Sequence, residues 1–326
     1  MLTAPPSHVQ RYLALLGAVD KKELEDRIIS DIATAVREEW GQGGVLPIRL
    51  SSVAARFKIR PRPQLIAGNH DGEIEFDEDK AEFVIRLCTP SQGATISQLG
   101  KHPRFRFTYA HEVAHRFFFV PWNGSWKRAL DIITADLHDA SQLKEKITLR
   151  RLEEGLCNNI ARRALVPDEL IAKHCNVREW FSTEERFFEK LSDAARRFGV
   201  SRDCLLLRLE KSFGHDGLEH NCAMVIGSSA GNVTAKGRYT LRVRSGIVPS
   251  RVGGTEVGYY PGIKAEKLGD QAYQFVVENL AAGDPVAGRV RVPLRIGDHP
   301  ARLLTGWWRL LGHDDEKRMM IWGQLD

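Results

Sequence analysis

The chain has 326 residues, 43% of them hydrophobic and 27% charged, which suits a soluble globular protein with a buried core and room for two domains. A formal net charge of +5 permits nucleic-acid contact without arguing for it, and no apolar run approaches a membrane span. Five scattered cysteines (Cys88, Cys157, Cys175, Cys204 and Cys222) fit reduced thiols better than a disulfide framework. Met1 to Gln10 shows no basic segment followed by an apolar one, so a cytoplasmic protein is expected.

Asp20 to Trp40 reads as an amphipathic helix, with Leu24, Ile28, Ile32, Val36 and Trp40 at i+4 spacing and Gly41-Gln42-Gly43-Gly44 as its stop. Ser51 to Ile59 reads as a short helix or turn capped by Ser51 or Ser52. A turn cluster, Gly68 to Glu73, precedes Ile74-Glu75-Phe76, and Glu82 to Leu87 alternates like a strand. Together they predict a hairpin or small antiparallel sheet, with Asp77, Glu78 and Asp79 in a solvated turn that lacks EF-hand spacing. Cys88 ends the strand, and Thr89 to His102 reads as a loop.

The run Phe107-Thr108-Tyr109-Ala110-His111-Glu112-Val113-Ala114-His115 follows, with no Gly or Pro from Arg104 to Val120. On a helix His111 and His115 lie one turn apart on one face. Both imidazoles can then reach one Zn²⁺, with Glu112 beside the water that completes the coordination. The ion lowers that water's pKa to about 7, and the carboxylate can take its proton.

A third ligand is needed. Trp122 and Trp126 flank Asn123-Gly124-Ser125 in an expected loop, and Asp131, Asp136, His138 and Asp139 beyond it are rival donors without a supporting motif. Leu152 to Pro167 is a better source: a helical run closed by Pro167, in which Glu154 and Asn158 share a face at i, i+4. One can bind the metal while the other hydrogen-bonds a ligand from behind. The adjacent Glu153 is not expected to matter for metal retention.

These two runs resemble the ImmA/IrrE-type metallopeptidases, whose pattern is Phe-Thr-x-Ala-His-Glu-x-x-His and then Glu-x-x-Ala-Asn-x-Phe-Ala-x-x-Leu-Leu-Met-Pro. The resemblance covers roughly Ser51 to Leu209. It departs at Cys157 for Ala, Ile160 for Phe and Ala164-Leu165-Val166 for Leu-Leu-Met, all small or apolar exchanges. It implies one zinc per chain held by His111, His115 and Glu154, Glu112 as general base, and Asn158 behind the ligands. It also implies a zincin-like helical peptidase domain with a small antiparallel sheet, the whole chain being α+β. Which residue stabilises the oxyanion stays open among His102, His174 and Tyr109.

After Pro167 the sequence predicts helices over Asp168 to Lys173 and Glu184 to Phe198, the latter with Arg196 and Arg197 on a solvated face. A further helix starts at Val200 with Ser201 as N-cap. Phe198-Gly199-Val200-Ser201 could also be the turn of a DNA-reading helix-turn-helix. Gly214 to Leu218 is the expected boundary, dividing a peptidase domain, residues 1–214 (core about 51–209, helical extension 1–50), from a β-rich sensory domain, residues 215–326. There Arg238, Arg242 and Arg244 alternate with apolar residues, as do Arg289, Arg291 and Arg295. If those two strands are neighbours, six arginines line one face suited to single-stranded DNA as an activator. The plainer reading is a polar outer sheet face.

The leading functional reading is a regulated zinc endopeptidase. The resemblance implies a helix-turn-helix transcriptional repressor as protein substrate, cut in a stress, DNA-damage or phage-defence response, and two-domain members of anti-phage operons, the CapP type, are similar in layout. The alternative is a zinc-containing regulator that acts by binding a partner or nucleic acid without proteolysis. An intact Glu112 favours the enzyme. Cys88 suggests a restraint, since a thiolate reaching the metal would close its open position. The plainer reading makes it a small buried hydrophobe at a strand end, and Cys157 competes for the same role.

Overall fold

Helices and small sheets alternate along the chain in an α+β architecture. The computed structural model describes residues 7–40, 46–64, 71–88, 100–135, 140–182, 186–213, 221–233, 239–247, 251–252, 255–256, 269–282, 287–295, 301–311 and 318–325. Two compact units result, Met1–Pro167 with Arg197–Val200, and Asp168–Arg196 with Ser201–Asp326. Among the described residues no helix is long and apolar enough to cross a membrane.

The first unit opens with helix α1 (His8–Leu15), whose Ser7 and Gln10 form a reciprocal capping box. Helix α2 (Lys21–Trp40) buries the expected stripe of Leu24, Ile28 and Ile32. Helix α3 (Leu50–Arg56) begins at Arg49 without a side-chain cap, so Ser51 and Ser52 fall inside the first turn rather than capping it. Strands β1 (Ile59–Gln64), β2 (Gly72–Asp77) and β3 (Glu82–Cys88) form a sheet in the order β1-β3-β2. Only the β2–β3 pair is antiparallel; β1 runs parallel to β3, so the small sheet is mixed. Pro61 and Pro63 hid β1 in the sequence, yet an edge strand tolerates a missing donor.

Helix α4 (Pro103–His115) starts with proline at its first position, where the absent N–H costs nothing. It ends at His115, and a 3₁₀ turn (Arg116–Phe118) leads into a hairpin of β4 (Phe119–Trp122) and β5 (Ser125–Arg128). The expected loop is thus a hairpin turn. Asn123 and Gly124 take φ of 49° and 82°, the positive pair that a two-residue turn of this hand requires. Arg116 lies between the rings of Phe83 and Trp126, 4.0 and 4.2 Å from their centroids, and fastens the hairpin to the sheet. A short helix α5 (Ala129–Ile133) precedes α6 (Ala140–Leu165), which packs on both α2 and α4. Arg106 of α4 is buried and donates to the carbonyls of Gly199 and Ile48 at 2.9 and 2.7 Å. Gly199 has φ of 66°, and a Cβ there would meet Arg106 Nε at 2.7 Å, so this turn needs glycine.

The second unit holds helices α7 (Asp168–His174), α8 (Val177–Ser182), α9 (Phe187–Phe198, through Arg196) and α10 (Arg202–Phe213). Its five-stranded antiparallel sheet comprises β6 (Asn221–Val233), β7 (Tyr239–Ile247), β10 (Ala287–Leu294), β11 (Arg302–Leu311) and β12 (Arg318–Leu325), in the order β10-β11-β12-β6-β7. Two-residue strands β8 (Arg251–Val252) and β9 (Thr255–Glu256) pair separately. Helix α11 (Asp270–Ala282) lays Ala272, Val276 and Leu280 on one sheet face, against Met224, Ile226, Val292 and Ile321. On the opposite face Trp322 of β12 stacks on Phe187 and Phe188 of α9, at 6.3 and 6.0 Å between ring centroids.

Three expectations change here. The boundary expected at 214/215 lies inside the second unit, because α9 and α10 cover the sheet that follows them. The arginine strands are not neighbours: among the described strands β7 and β10 form opposite edges with three strands between them, so they do not join into one six-arginine face. Arg289, Arg291 and Arg295 are exposed on and just after β10; Arg238 lies outside the described residues, and of Arg242 and Arg244 only the backbone, in β7, is described. A DNA-reading role for α10 also fails. Ser201 does cap it, its hydroxyl accepting from the Cys204 N–H at 3.2 Å, but no residue from 202 to 209 is exposed. Over residues 202–209 the helix therefore has no exposed face to offer a groove. Arg196 and Arg197 are exposed on α9, as expected.

Candidate metal centre

Helices α4 and α6 pack together, and the site forms between them. One helical turn brings the rings of His111 and His115 to 4.7 Å between centroids, with their Nε2 atoms 3.0 Å apart. From α6, Glu154 Oε2 lies 3.1 Å from His111 Nε2 and its Oε1 lies 3.6 Å from His115 Nε2. All three donors fall within 4.8 Å of one another. Ligands at about 2.0–2.2 Å around one tetrahedral ion stand roughly 3–3.5 Å apart, so the set fits a single ion. Two imidazoles and a carboxylate are a donor set suited to a divalent metal ion. His111, His115 and Glu154 can therefore hold a metal ion, and the hydrogen bonds from His111 and His115 keep the Glu154 carboxyl ionised well below the usual range.

Glu112 is buried beside this cluster, 6% exposed. Burial raises its pKa, against the opposing pull of His115 and His111. Its placement depends on the close approach of β2. A Cβ on Gly72 would lie 2.9 Å from Thr108 Cγ2 and 3.1 Å from Glu112 Cγ, so the strand can pack this tightly only with glycine there.

Glu153, rather than Asn158, is the residue behind the candidate ligands. It has no solvent exposure. Its Oε1 lies 3.0 Å from His115 Nδ1 and accepts from Arg128 Nε at 2.6 Å, while its Oε2 accepts from the Tyr12 hydroxyl at 2.5 Å. Burial alone would raise the Glu153 pKa, but the His115 hydrogen bond and the Arg128 charge outweigh it and the net shift is downward. Burial and the neighbouring Glu153 in turn hold Tyr12 protonated, its pKa raised. Asn158, the expected occupant of this role, is half-buried one turn further along α6. Nothing in the local spacing could reveal Tyr12, which comes from 141 residues away in the chain. Glu153 was recoverable only by noticing that it faces inward when Glu154 does not point straight out.

Cys88 is half-buried at the end of the central strand β3, its N–H donating to the Asp71 carbonyl at 2.9 Å. It is outside the three-residue cluster, and the strand at the sheet edge beside α4 is β2. The cysteine at the site is Cys157, fully buried, with a thiol pushed up to about 11 by burial while it hydrogen-bonds His115. Of the rival ligands, Asp131 is exposed on α5, and Asp136, His138 and Asp139 lie outside the described residues. Tyr109 is buried, its hydroxyl without a partner among the described residues, and sits about 200° around α4 from His111, away from the ligand face.

No family model matches the chain, and no curated protein matches it. Among solved structures, a Mycobacterium tuberculosis transcriptional regulator aligns over 98% of this chain and 81% of its own, with 16% identity and a TM-score of 0.46.

Proposed function

We propose that this chain is a regulated zinc endopeptidase of the ImmA/IrrE type that cuts a protein partner, a helix-turn-helix repressor, in a stress, DNA-damage or phage-defence response. The observation that carries the reading is Glu112, buried beside three convergent ligands with its pKa raised. A zinc ion held by His111, His115 and Glu154 would supply Lewis acidity, polarising the scissile carbonyl and lowering the pKa of a water to about 7. Glu112 takes the proton of the attacking water and delivers it to the departing amine; a pKa raised toward the working pH makes it a stronger base for the first of these transfers. Gly72 lets β2 approach the Glu112 stem closely. Among the described strands β2 is an edge of its sheet, along which an extended segment of the partner can add as a strand.

The test is incubation of the zinc-loaded chain with helix-turn-helix repressors, with the masses of any products measured. Glu112→Gln should retain zinc yet lose cleavage by at least about 10²–10⁴-fold, the contribution of a general base. Wild-type cleavage by that variant would reject the peptidase mechanism. The alternative, a zinc regulator acting by binding alone, requires that neither protein cleave the partner while both bind it.

For nucleic acid, the support narrows to the β10 edge. Arg289, Arg291 and Arg295 are exposed there, and the Arg289 guanidinium lies 5.2 Å from the Trp307 ring centroid. We propose single-stranded DNA as an activating ligand of this edge, with binding that weakens steeply as salt is raised. Charge reversal at Arg289 and Arg291 should abolish a low-salt mobility shift and spare basal cleavage. Absence of any shift with the unmodified chain would leave the edge as solvated surface.

A further inference from the structure

A buried carboxylate is costly unless its oxygens are satisfied. At Glu153 the satisfaction comes from three places: Tyr12 on Oε2, Arg128 and His115 on Oε1. Arg128 comes from the hairpin and His115 from α4, but Tyr12 is delivered by α1, at the start of the chain. Among the described residues its hydroxyl is the one donor to Oε2. Tyr12 is fully buried, and its ring stacks on Phe118 at 6.4 Å, while Phe118 meets the His115 ring edge-on at 6.2 Å. Helix α1 therefore bears on His115 by two routes, one polar through Glu153 and one apolar through Phe118.

The tautomer of His115 gives this contact a consequence. Arg128 Nη2 lies 3.1 Å from His115 Nδ1, and the guanidinium can only donate. If Nδ1 accepted from Arg128, Nε2 would carry the imidazole proton and could not bind a metal. If Nδ1–H donates to Glu153, Nε2 is left with its lone pair toward Glu154 and His111. The orientation of the Glu153 carboxylate decides between them, and Tyr12 fixes that orientation from the far oxygen.

We infer that Tyr12 is a positioning residue of the metal centre: docking of α1 orients Glu153, Glu153 holds the His115 proton on Nδ1, and metal retention thereby depends on the N-terminal helix. This rests on His111, His115 and Glu154 being metal ligands and is independent of whether the chain is a peptidase. The expectation that Glu153 is neutral for metal retention is replaced by its opposite.

The experiment uses the full chain, with zinc dissociation constants measured by competition with a chromophoric chelator. Loss of a group that orients a ligand weakens metal binding by about 10–100-fold, and Glu153→Gln should fall in that range. Tyr12→Phe keeps the ring and removes only the hydroxyl; it should weaken zinc in the same direction, by about tenfold or less. The double variant should be no weaker than Glu153→Gln alone, because the hydroxyl acts through the carboxylate. The visible spectrum of the Co²⁺-substituted protein should shift in Tyr12→Phe, a change that loosened packing elsewhere would not produce. Wild-type zinc affinity and Co²⁺ spectrum in Tyr12→Phe overturn the inference, even if the metal-free variant melts at a lower temperature. An unmodified chain that binds no zinc rejects the metal site itself and the inference with it. Should the variants not fold, nitrogen NMR of the zinc-loaded unmodified chain decides: Nδ1 of His115 must be protonated and protected from exchange, and an unprotonated Nδ1 overturns the inference.

Discussion

His115 is asked to do two incompatible things, and pH chooses between them. Burial disfavours its charged form, but Cys157, Glu153 and Glu154 more than compensate, and in the metal-free chain its pKa is raised well above the usual histidine value. Zinc needs the neutral ring, so the proton competes with the metal. As pH falls through the raised pKa, His115 takes up one proton and apparent zinc affinity drops, by up to about tenfold per pH unit. The decline should therefore begin above about pH 6.5, the ordinary histidine value, rather than below it. Titrating zinc affinity from about pH 8 downward checks this, and a flat profile to pH 6.5 would show the proton is not held as described. In Glu153→Gln one of the groups raising the pKa is weakened, so the onset should move to lower pH. At this scale the convergence of His111, His115 and Glu154 is legible because an i, i+4 histidine pair and a second helix in register leave little choice. Glu153, Arg128 and Tyr12 are not, because a hydrogen bond between residues 12 and 153 leaves no local trace.

Among the elements, β2 and α4 define the working edge of the site, and Gly72 sets their separation. A methyl group at 72 must displace Thr108 and the Glu112 stem, or push the strand outward. Either movement leaves His111, His115 and Glu154 on their own helices. On the proposed peptidase reading, Gly72→Ala should retain zinc with near wild-type affinity while cleavage of the partner falls about tenfold or more, the cost of misplacing a reacting group by a fraction of an ångström. Loss of zinc and cleavage together would mean that β2 supports the ligands as well as the base. The helices α4 and α6 were readable from uninterrupted runs with a proline before or after them. The β4–β5 hairpin has its signal in Asn123-Gly124, but strands of only four residues each that lack alternation make a loop the expectation there. The short strand β1 was hidden by two prolines that matter less at a sheet edge.

At the scale of the whole chain, the division into units follows burial rather than composition. Residues beyond Gly214 turn rich in Gly, Val and Arg, and that shift marks where the strands start, not where a folding unit starts. The helices α9 and α10 precede the shift, yet α9 puts Phe187 and Phe188 on Trp322, and α10 packs against β7. Polar contacts run the same way: Arg318 of β12 pairs with Asp203 of α10 at 3.0 Å, and the Arg309 guanidinium of β11 covers the Phe188 ring at 4.6 Å. Trp322 is 3% exposed at the centre of this face. Truncating a buried tryptophan to alanine costs about 3–5 kcal/mol, the lost transfer free energy together with the cavity left behind. Trp322→Ala should therefore destabilise the second unit by that amount in a denaturant titration. Hydrogen exchange locates the effect. If residues 187–196 belong to the sheet's unit, their amides should lose protection together with β12 and β6, while α4 and α6 keep theirs. Protection of residues 187–196 that stays unchanged while the strands loosen would return the boundary to residue 214.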